Sequence, residues 1–74
     1  MKFVVCVSRE DCGDFSTDDL TIGRLYEVQA AADGHGMIRV IDDSGEGYLY
    51  PAGLFEAVDV KEQTALRLHG LLAA

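Results

Sequence analysis

The segment Ile38–Pro51 constrains the fold of this chain more than any other part of the sequence. Two short runs of β-forming residues flank a polar stretch, Asp42 to Glu46, that contains Gly45. This pattern is typical of a β-hairpin closed by a tight turn, with glycine at a position that needs a positive φ. The chain is therefore predicted to be a small, mainly β protein. The hairpin alone does not indicate an activity.

Length and composition limit the classes of protein to which the chain can belong. Its 74 residues are enough for one domain, and 49% of them are hydrophobic, which is enough for a core. It carries 13 acidic and 6 basic residues, a formal net charge of −7, and the basic residues are scattered. Because an acidic surface repels phosphate backbones and anionic lipids, we expect no nucleic-acid partner and no membrane partner.

The N-terminal segment and the cysteines bear on the compartment. The apolar run at residues 3–7 is too short for the core of a signal peptide or for a membrane span, so a cytoplasmic location is expected. Cys6 and Cys12 match no CxxC pattern of a redox or zinc site. In a reducing compartment both are expected to be free thiols.

Alternation of apolar and polar residues predicts the other elements. Strands are expected over about residues 2–7, 24–31, 37–42, 47–50 and 55–60. The first is a continuous apolar run, which suits a strand covered on both faces. One helical turn is expected at Pro51–Leu54, and helix formers begin at about Lys61. The helix would carry an apolar stripe at Ala65, Leu68, Leu71 and Leu72.

A likeness to a known family lies in three segments, which are Leu20–Val28, Ile41–Glu46 and Tyr48–Pro51. Within the first, Gly23 and Tyr26 keep the spacing of a diverging turn followed by a second strand. These segments resemble small SH3-like proteins of bacteria and their phages, most of which are uncharacterised. The resemblance implies an SH3-like five-stranded antiparallel barrel over residues 1–60, with a C-terminal α-helix in a tail at residues 61–74, in one domain. It implies a fold rather than a function.

The chain departs from SH3-like proteins that have a known ligand. Peptide-binding SH3 domains resemble one another in a tryptophan and an aromatic first-loop motif that hold proline-rich ligands. This chain has no tryptophan, and its long loop at residues 8–20 has only Phe15 as an aromatic residue. Ribosomal SH3-like modules depend on basic loops, which are missing here, and methyl-lysine readers need a cage of several aromatic rings.

No catalytic residue, metal ligand or cofactor is predicted. His35 and His69 form no recognisable Ser–His–Asp pattern, and Cys6 falls in a buried strand. The acidic runs at residues 11–19 and 42–46 lack the ligand spacing of an EF-hand. Asp and Ser side chains in the hairpin turn are instead expected to hydrogen-bond to nearby backbone.

An outward apolar face is the main prediction about function. Strands three and four are apolar on both faces, and we expect Ile38, Val40 and Leu49 to point inward. The outward residues would then be Met37, Ile41, Tyr48 and Tyr50. Monomers usually cover or use such a patch. We predict a non-enzymatic module that docks a protein or peptide partner through these four residues, and a homodimer is one possibility.

Four alternatives compete with this prediction. The apolar stripe of the C-terminal helix would cover the same face if it folded back on it, and a one-residue register shift would exchange the faces. The chain would be an acidic decoy if carboxylates at Asp14, Asp18 and Asp19 imitated phosphates and blocked a basic nucleic-acid-binding partner. It would be a structural accessory domain if it only supported a larger assembly.

Overall fold

A computed structural model describes residues 2–9, 18–31 and 34–72 of the chain. The strands are β1 (Lys2–Cys6), β2 (Leu25–Ala30), β3 (Met37–Ile41), β4 (Gly47–Pro51) and β5 (Phe55–Val58). A single 3-10 turn (Ala52–Leu54) precedes β5, and helix α1 (Glu62–Leu72) follows it. The predicted strands, helical turn and helix are therefore confirmed, with strand ends within about two residues of those expected.

All strand pairs are antiparallel, and the five strands form one sheet in the order β4-β3-β2-β1-β5. The mainly β fold class is confirmed. In the described strands the sheet is not closed, since β4 lies at one edge and β5 at the other. Closure into a barrel stays a prediction.

One face of the sheet carries the main core. Side chains that are opposite each other on paired strands share a face, so Val4 and Tyr26 lie on the same side. Tyr26 and Tyr50 each make an edge-to-face contact with Phe55 at 6.2 Å between ring centres. The buried cluster consists of Val4, Cys6, Leu20, Tyr26, Ile38, Val40, Tyr50, Leu54 and Phe55.

Helix α1 packs against the opposite face of its own sheet. It contacts β2, where Nδ1 of His69 lies within hydrogen-bonding distance of Oε1 of Glu27. Ala65 is buried, and Leu72 borders a small space together with Ile41. Phe3 also lies on this face, opposite Glu27, and is only 2% exposed. Strand β1 is therefore buried on both faces, as its continuous apolar run predicts.

The stripe on α1 is narrower than predicted. Ala65 is buried and Leu68 and Leu72 are half-buried, but Leu71 is 72% exposed. At about 100° per residue, Ala65, Leu68 and Leu72 fall within one sector of the helix, and Leu71 points well outside it. In the described part of the chain, no helix has the length and apolarity needed to cross a membrane.

Replacing Ala65 with lysine should lower the free energy of unfolding by about 1.5 kcal/mol, because a long charged side chain does not fit beneath the helix. The matched control is Leu66→Lys, at a position that is 56% exposed, which should change stability by less than about 0.5 kcal/mol. Urea denaturation of both variants measures the difference. Equal losses would contradict the packing of α1 on the sheet.

Candidate interaction surface

The turn between β3 and β4 sets the register of the two strands and so determines on which face of the sheet each side chain lies. The Gly45 N–H donates to the Asp42 carbonyl at 3.0 Å, and the Asp42 N–H donates to the Glu46 carbonyl at 3.0 Å. Gly45 has a φ of 87°, which confirms the glycine turn predicted from the sequence. The loop at residues 43–45 thus ends in a left-handed glycine and makes Asp42 and Glu46 a hydrogen-bonded pair.

This register places both tyrosines of β4 on the core side of the sheet. Tyr48 lies opposite Val40 and Tyr50 lies opposite Ile38, and both of these partners are buried. The prediction that Tyr48 and Tyr50 share an outer face with Met37 and Ile41 is therefore wrong by one residue in β4. Leu49, which was expected to point inward, lies opposite Arg39 on the outer face.

Tyr50 is a core residue, and its predicted outward orientation is wrong. Its side chain is 5% exposed, and its hydroxyl donates to Oδ2 of Asp42 at 2.7 Å. Asp42 is itself 3% exposed, and its Oδ1 accepts from the backbone N–H of Ser44 at 2.9 Å and from the Ser44 hydroxyl. Burial, and then the hydrogen bond and charge of Asp42, raise the pKa of Tyr50 above its ordinary value.

A second cluster of polar contacts ties the segment before β2 to the same turn. Oδ2 of Asp43 accepts from the Thr21 hydroxyl at 2.8 Å, and its Oδ1 accepts from the Tyr26 hydroxyl at 2.9 Å and pairs with Arg24. The Asp43 N–H donates to the Asp19 carbonyl at 2.8 Å. The Arg24 guanidinium also lies 5.1 Å from the centre of the Tyr26 ring. The Asp43 carboxylate therefore holds the segment before β2 against the turn through distant side chains. The hydrogen bond to nearby backbone that was expected for Asp in this turn is made by Asp42.

The exposed apolar side chains of the hairpin lie on β4. Tyr48 is 47% exposed and Leu49 is 41% exposed. Met37 and Ile41 are half-buried, and Ile41 lines the same small space as Leu72 of α1. We call Gly47, Tyr48 and Leu49 the β4 edge strip. The β4 edge strip replaces the predicted binding face. Of the four residues predicted for that face, Tyr48 alone is solvent-exposed.

Two residues of the β4 edge strip have backbone groups that face away from β3. Hydrogen-bonded and non-hydrogen-bonded pairs alternate in an antiparallel ladder, so the bond between Asp42 and Glu46 fixes the pattern. The N–H and C=O groups of Gly47 and Leu49 then point to the open edge, where the described part of the chain supplies no further strand. The Gly47 carbonyl accepts from Nη1 of Arg39 at 2.9 Å. An edge of this kind can pair with another strand.

Carboxylates lie around this strip. The Tyr48 hydroxyl donates to Oε2 of Glu46 at 3.1 Å. This hydrogen bond, and then the charge of Glu46, raise the pKa of Tyr48, and the charges of Asp42 and Asp19 add to the effect. Asp18 is 92% exposed at its side chain and lies 3.9 Å from the Arg9 guanidinium.

The structure describes two of the three predicted acidic surface residues. Asp18 and Asp19 are exposed, whereas Asp14 lies outside the described residues. Cys12 and most of the long acidic loop also lie outside them.

The other reactive side chains that the structure describes lie apart from one another. Cys6 is fully buried, and its thiol donates to the Ser8 carbonyl at 3.3 Å. His35 is exposed next to Gly36, and His69 pairs with Glu27 on the other side of the molecule's sheet. Among the described residues, no three His, Cys, Asp or Glu side chains are grouped so that they could hold a metal ion.

A groove of about 410 Å³ opens along the strands near the end of β5. Among the described residues, its lining includes Val28, Ile38 and Val60, and the charged ones are Lys2 and Asp59. Neither Tyr48 nor Leu49 borders it. The groove is therefore separate from the β4 edge strip.

No family model, no curated protein and no solved structure matches this chain.

Proposed function

We propose that the chain is a small, non-enzymatic binding module, located in the cytoplasm, that docks a protein partner through the β4 edge strip. The observation that supports this most is the combination of two exposed apolar side chains, Tyr48 and Leu49, with outward backbone groups on an edge strand. An extended peptide segment can add to such an edge, with main-chain hydrogen bonds giving affinity and alternate side chains giving specificity.

The proposal includes an SH3-like barrel of the bacterial and phage type as the fold. It is supported by the element order, in which a long connection follows β1 and a 3-10 turn precedes β5. The positive φ of 87° at Gly23 and the burial of Tyr26 fit the same resemblance.

The surroundings of Tyr48 favour a basic partner segment. The charges of Glu46, Asp42 and Asp19 all act on this tyrosine, so a lysine or arginine in the added strand would be attracted to the strip. Electrostatic complementarity of this kind speeds association and weakens with added salt.

A random peptide display library tests the proposal with a defined probe. Selected peptides should be enriched in lysine and arginine, and Leu49→Pro should weaken their binding at least about tenfold, because proline removes the outward N–H. Tyr48→Ala should weaken it similarly. The control is Leu71→Ala, on the exposed side of α1, which should bind as the parent does. Unchanged affinity in both β4 variants, with an intact fold by circular dichroism, would refute the proposal.

An acidic decoy is the second candidate, because the charges of the exposed Asp19 and Glu46 both act on Tyr48, and the exposed Asp18 is next to Asp19 in the sequence. It predicts the opposite pattern in the same assay. Reversing Asp14, Asp18 and Asp19 to lysine would abolish binding to a basic partner, and Leu49→Pro would leave that binding unchanged. Tight binding that is insensitive to salt would exclude the decoy.

A further inference from the structure

We infer that the β4 edge strip pairs with the β4 edge strip of a second copy of this chain, antiparallel and with Leu49 on the two-fold axis. The inference rests on the proposed function of that edge and extends it to self-association, which would compete there with a basic peptide. A two-fold contact requires a surface that is complementary to itself. From Gly47 to Pro51 the strand carries no charged side chain, so two copies can meet along it without placing like charges opposite each other.

The other edge of the sheet is less suited to self-pairing. Strand β5 has only four residues, includes the exposed Glu56, and is followed by the exposed Asp59. Charged side chains and short length are the usual protection of an edge against pairing. The β4 edge lacks charges and has Pro51 only at its end.

Two registers would bring the outward backbone groups of β4 together. With Tyr48 on the axis, Gly47 faces Leu49 of the second copy, and the Gly47 carbonyl must accept from that leucine. With Leu49 on the axis, each Leu49 N–H donates to the Leu49 carbonyl of the other copy. Gly47 then faces Pro51 of the second copy, which has no N–H to donate.

The contact between Arg39 and Gly47 favours the register centred on Leu49. The Gly47 carbonyl already accepts from Nη1 of Arg39 at 2.9 Å within one chain. It is also the one outward carbonyl that would face the proline nitrogen of the other copy. In the register centred on Leu49, Arg39 therefore supplies the donor that the Gly47 carbonyl lacks in the second copy. In the register centred on Tyr48, Arg39 would compete with the Leu49 N–H of the second copy for this carbonyl.

Charge repulsion points to the same register. At about 3.3 Å per residue, the two Glu46 residues lie about 20 Å apart along the strands when Leu49 is on the axis, and about 13 Å apart when Tyr48 is. The first separation is about two and a half times the Debye length at physiological ionic strength. Because each chain carries a net charge of −7, added salt should strengthen the dimer, which is the opposite of its effect on a basic peptide.

Sedimentation equilibrium over about a hundredfold range of protein concentration tests the dimer. The parent chain should show a monomer–dimer equilibrium that shifts toward dimer with salt, and Leu49→Lys should weaken it at least about tenfold. Leu71→Lys, also exposed and with the same change in charge, should dimerise as the parent does. A parent that stays monomeric throughout would overturn the inference, and it would leave the proposed function standing if selected peptides still depended on Leu49.

The register has its own test in a mixed sample of isotope-labelled and unlabelled chains. Facing residues of a non-hydrogen-bonded antiparallel pair lie close together, at about 4.5 Å between Cα atoms. We expect a nuclear Overhauser contact from the Hα of Tyr48 in one copy to the Hα of Tyr50 in the other. A contact between the two Tyr48 Hα atoms would overturn the register, as would a dimer without any contact along β4.

Discussion

Replacing Asp42 with alanine should lower the free energy of unfolding by about 3 kcal/mol, because it leaves a buried hydroxyl without an acceptor. The Tyr50 hydroxyl, on a side chain that is 5% exposed, donates to this carboxylate at 2.7 Å. The backbone N–H of Ser44 loses its acceptor as well. Urea denaturation followed by circular dichroism gives the change directly.

A matched control for this substitution lies on the other strand of the same hairpin. Glu46 is an exposed carboxylate that accepts from the exposed Tyr48 hydroxyl. Glu46→Ala should therefore change stability by less than about 0.5 kcal/mol. If both substitutions lower the free energy of unfolding equally, the hydrogen bond between Asp42 and Tyr50 does not stabilise the fold as proposed.

Stability should fall by about 2 kcal/mol as the pH rises from 10 to about 12, because Tyr50 keeps its proton only in the folded state. The pKa of Tyr50 is raised by burial and by Asp42, whereas an unfolded tyrosine has a pKa of 10.0. Above that pH the unfolded chain binds fewer protons than the folded chain, so the slope of stability against pH is negative. The contribution is fully present below pH 10 and is lost as the pH rises toward the folded pKa.

Tyr50→Phe isolates this effect. The variant loses the hydrogen bond to Asp42, so it should be less stable at neutral pH, but its stability should depend less on pH in the alkaline range. Phenolate absorbance should also show one tyrosine of the parent that ionises only when the chain unfolds. Parallel pH profiles for parent and variant would show that Tyr50 titrates normally and is accessible to solvent.

Alternation and glycine placement were sufficient to predict the elements of this fold. The continuous apolar run of β1 indicates burial on both faces, and Phe3 and Val4 are indeed buried on opposite sides. Gly23 and Gly45 stand where φ is positive, so each marks a turn at the correct position. The burial of Tyr26 follows from its place in the alternation of β2.

The prediction of the two faces of β4 is wrong, because Tyr48, Leu49 and Tyr50 are all apolar enough for either side. The information lay in the turn, since a three-residue loop that ends in a left-handed glycine pairs Asp42 with Glu46 and thereby sets the register. The burial of Asp42 has no signal in the sequence. It depends on Tyr50 reaching back from the neighbouring strand, which is a tertiary contact.

The open edge of β4 is the feature on which the proposed binding depends, and amide hydrogen exchange of Leu49 tests it most directly. In dilute solution the Leu49 N–H should exchange at least about ten times faster than those of Tyr48 and Tyr50, which point toward β3. It should become protected when the protein is concentrated or when a selected peptide is added. A Leu49 amide that is as protected as its two neighbours in the dilute protein would mean that the edge is already covered, and would contradict the account.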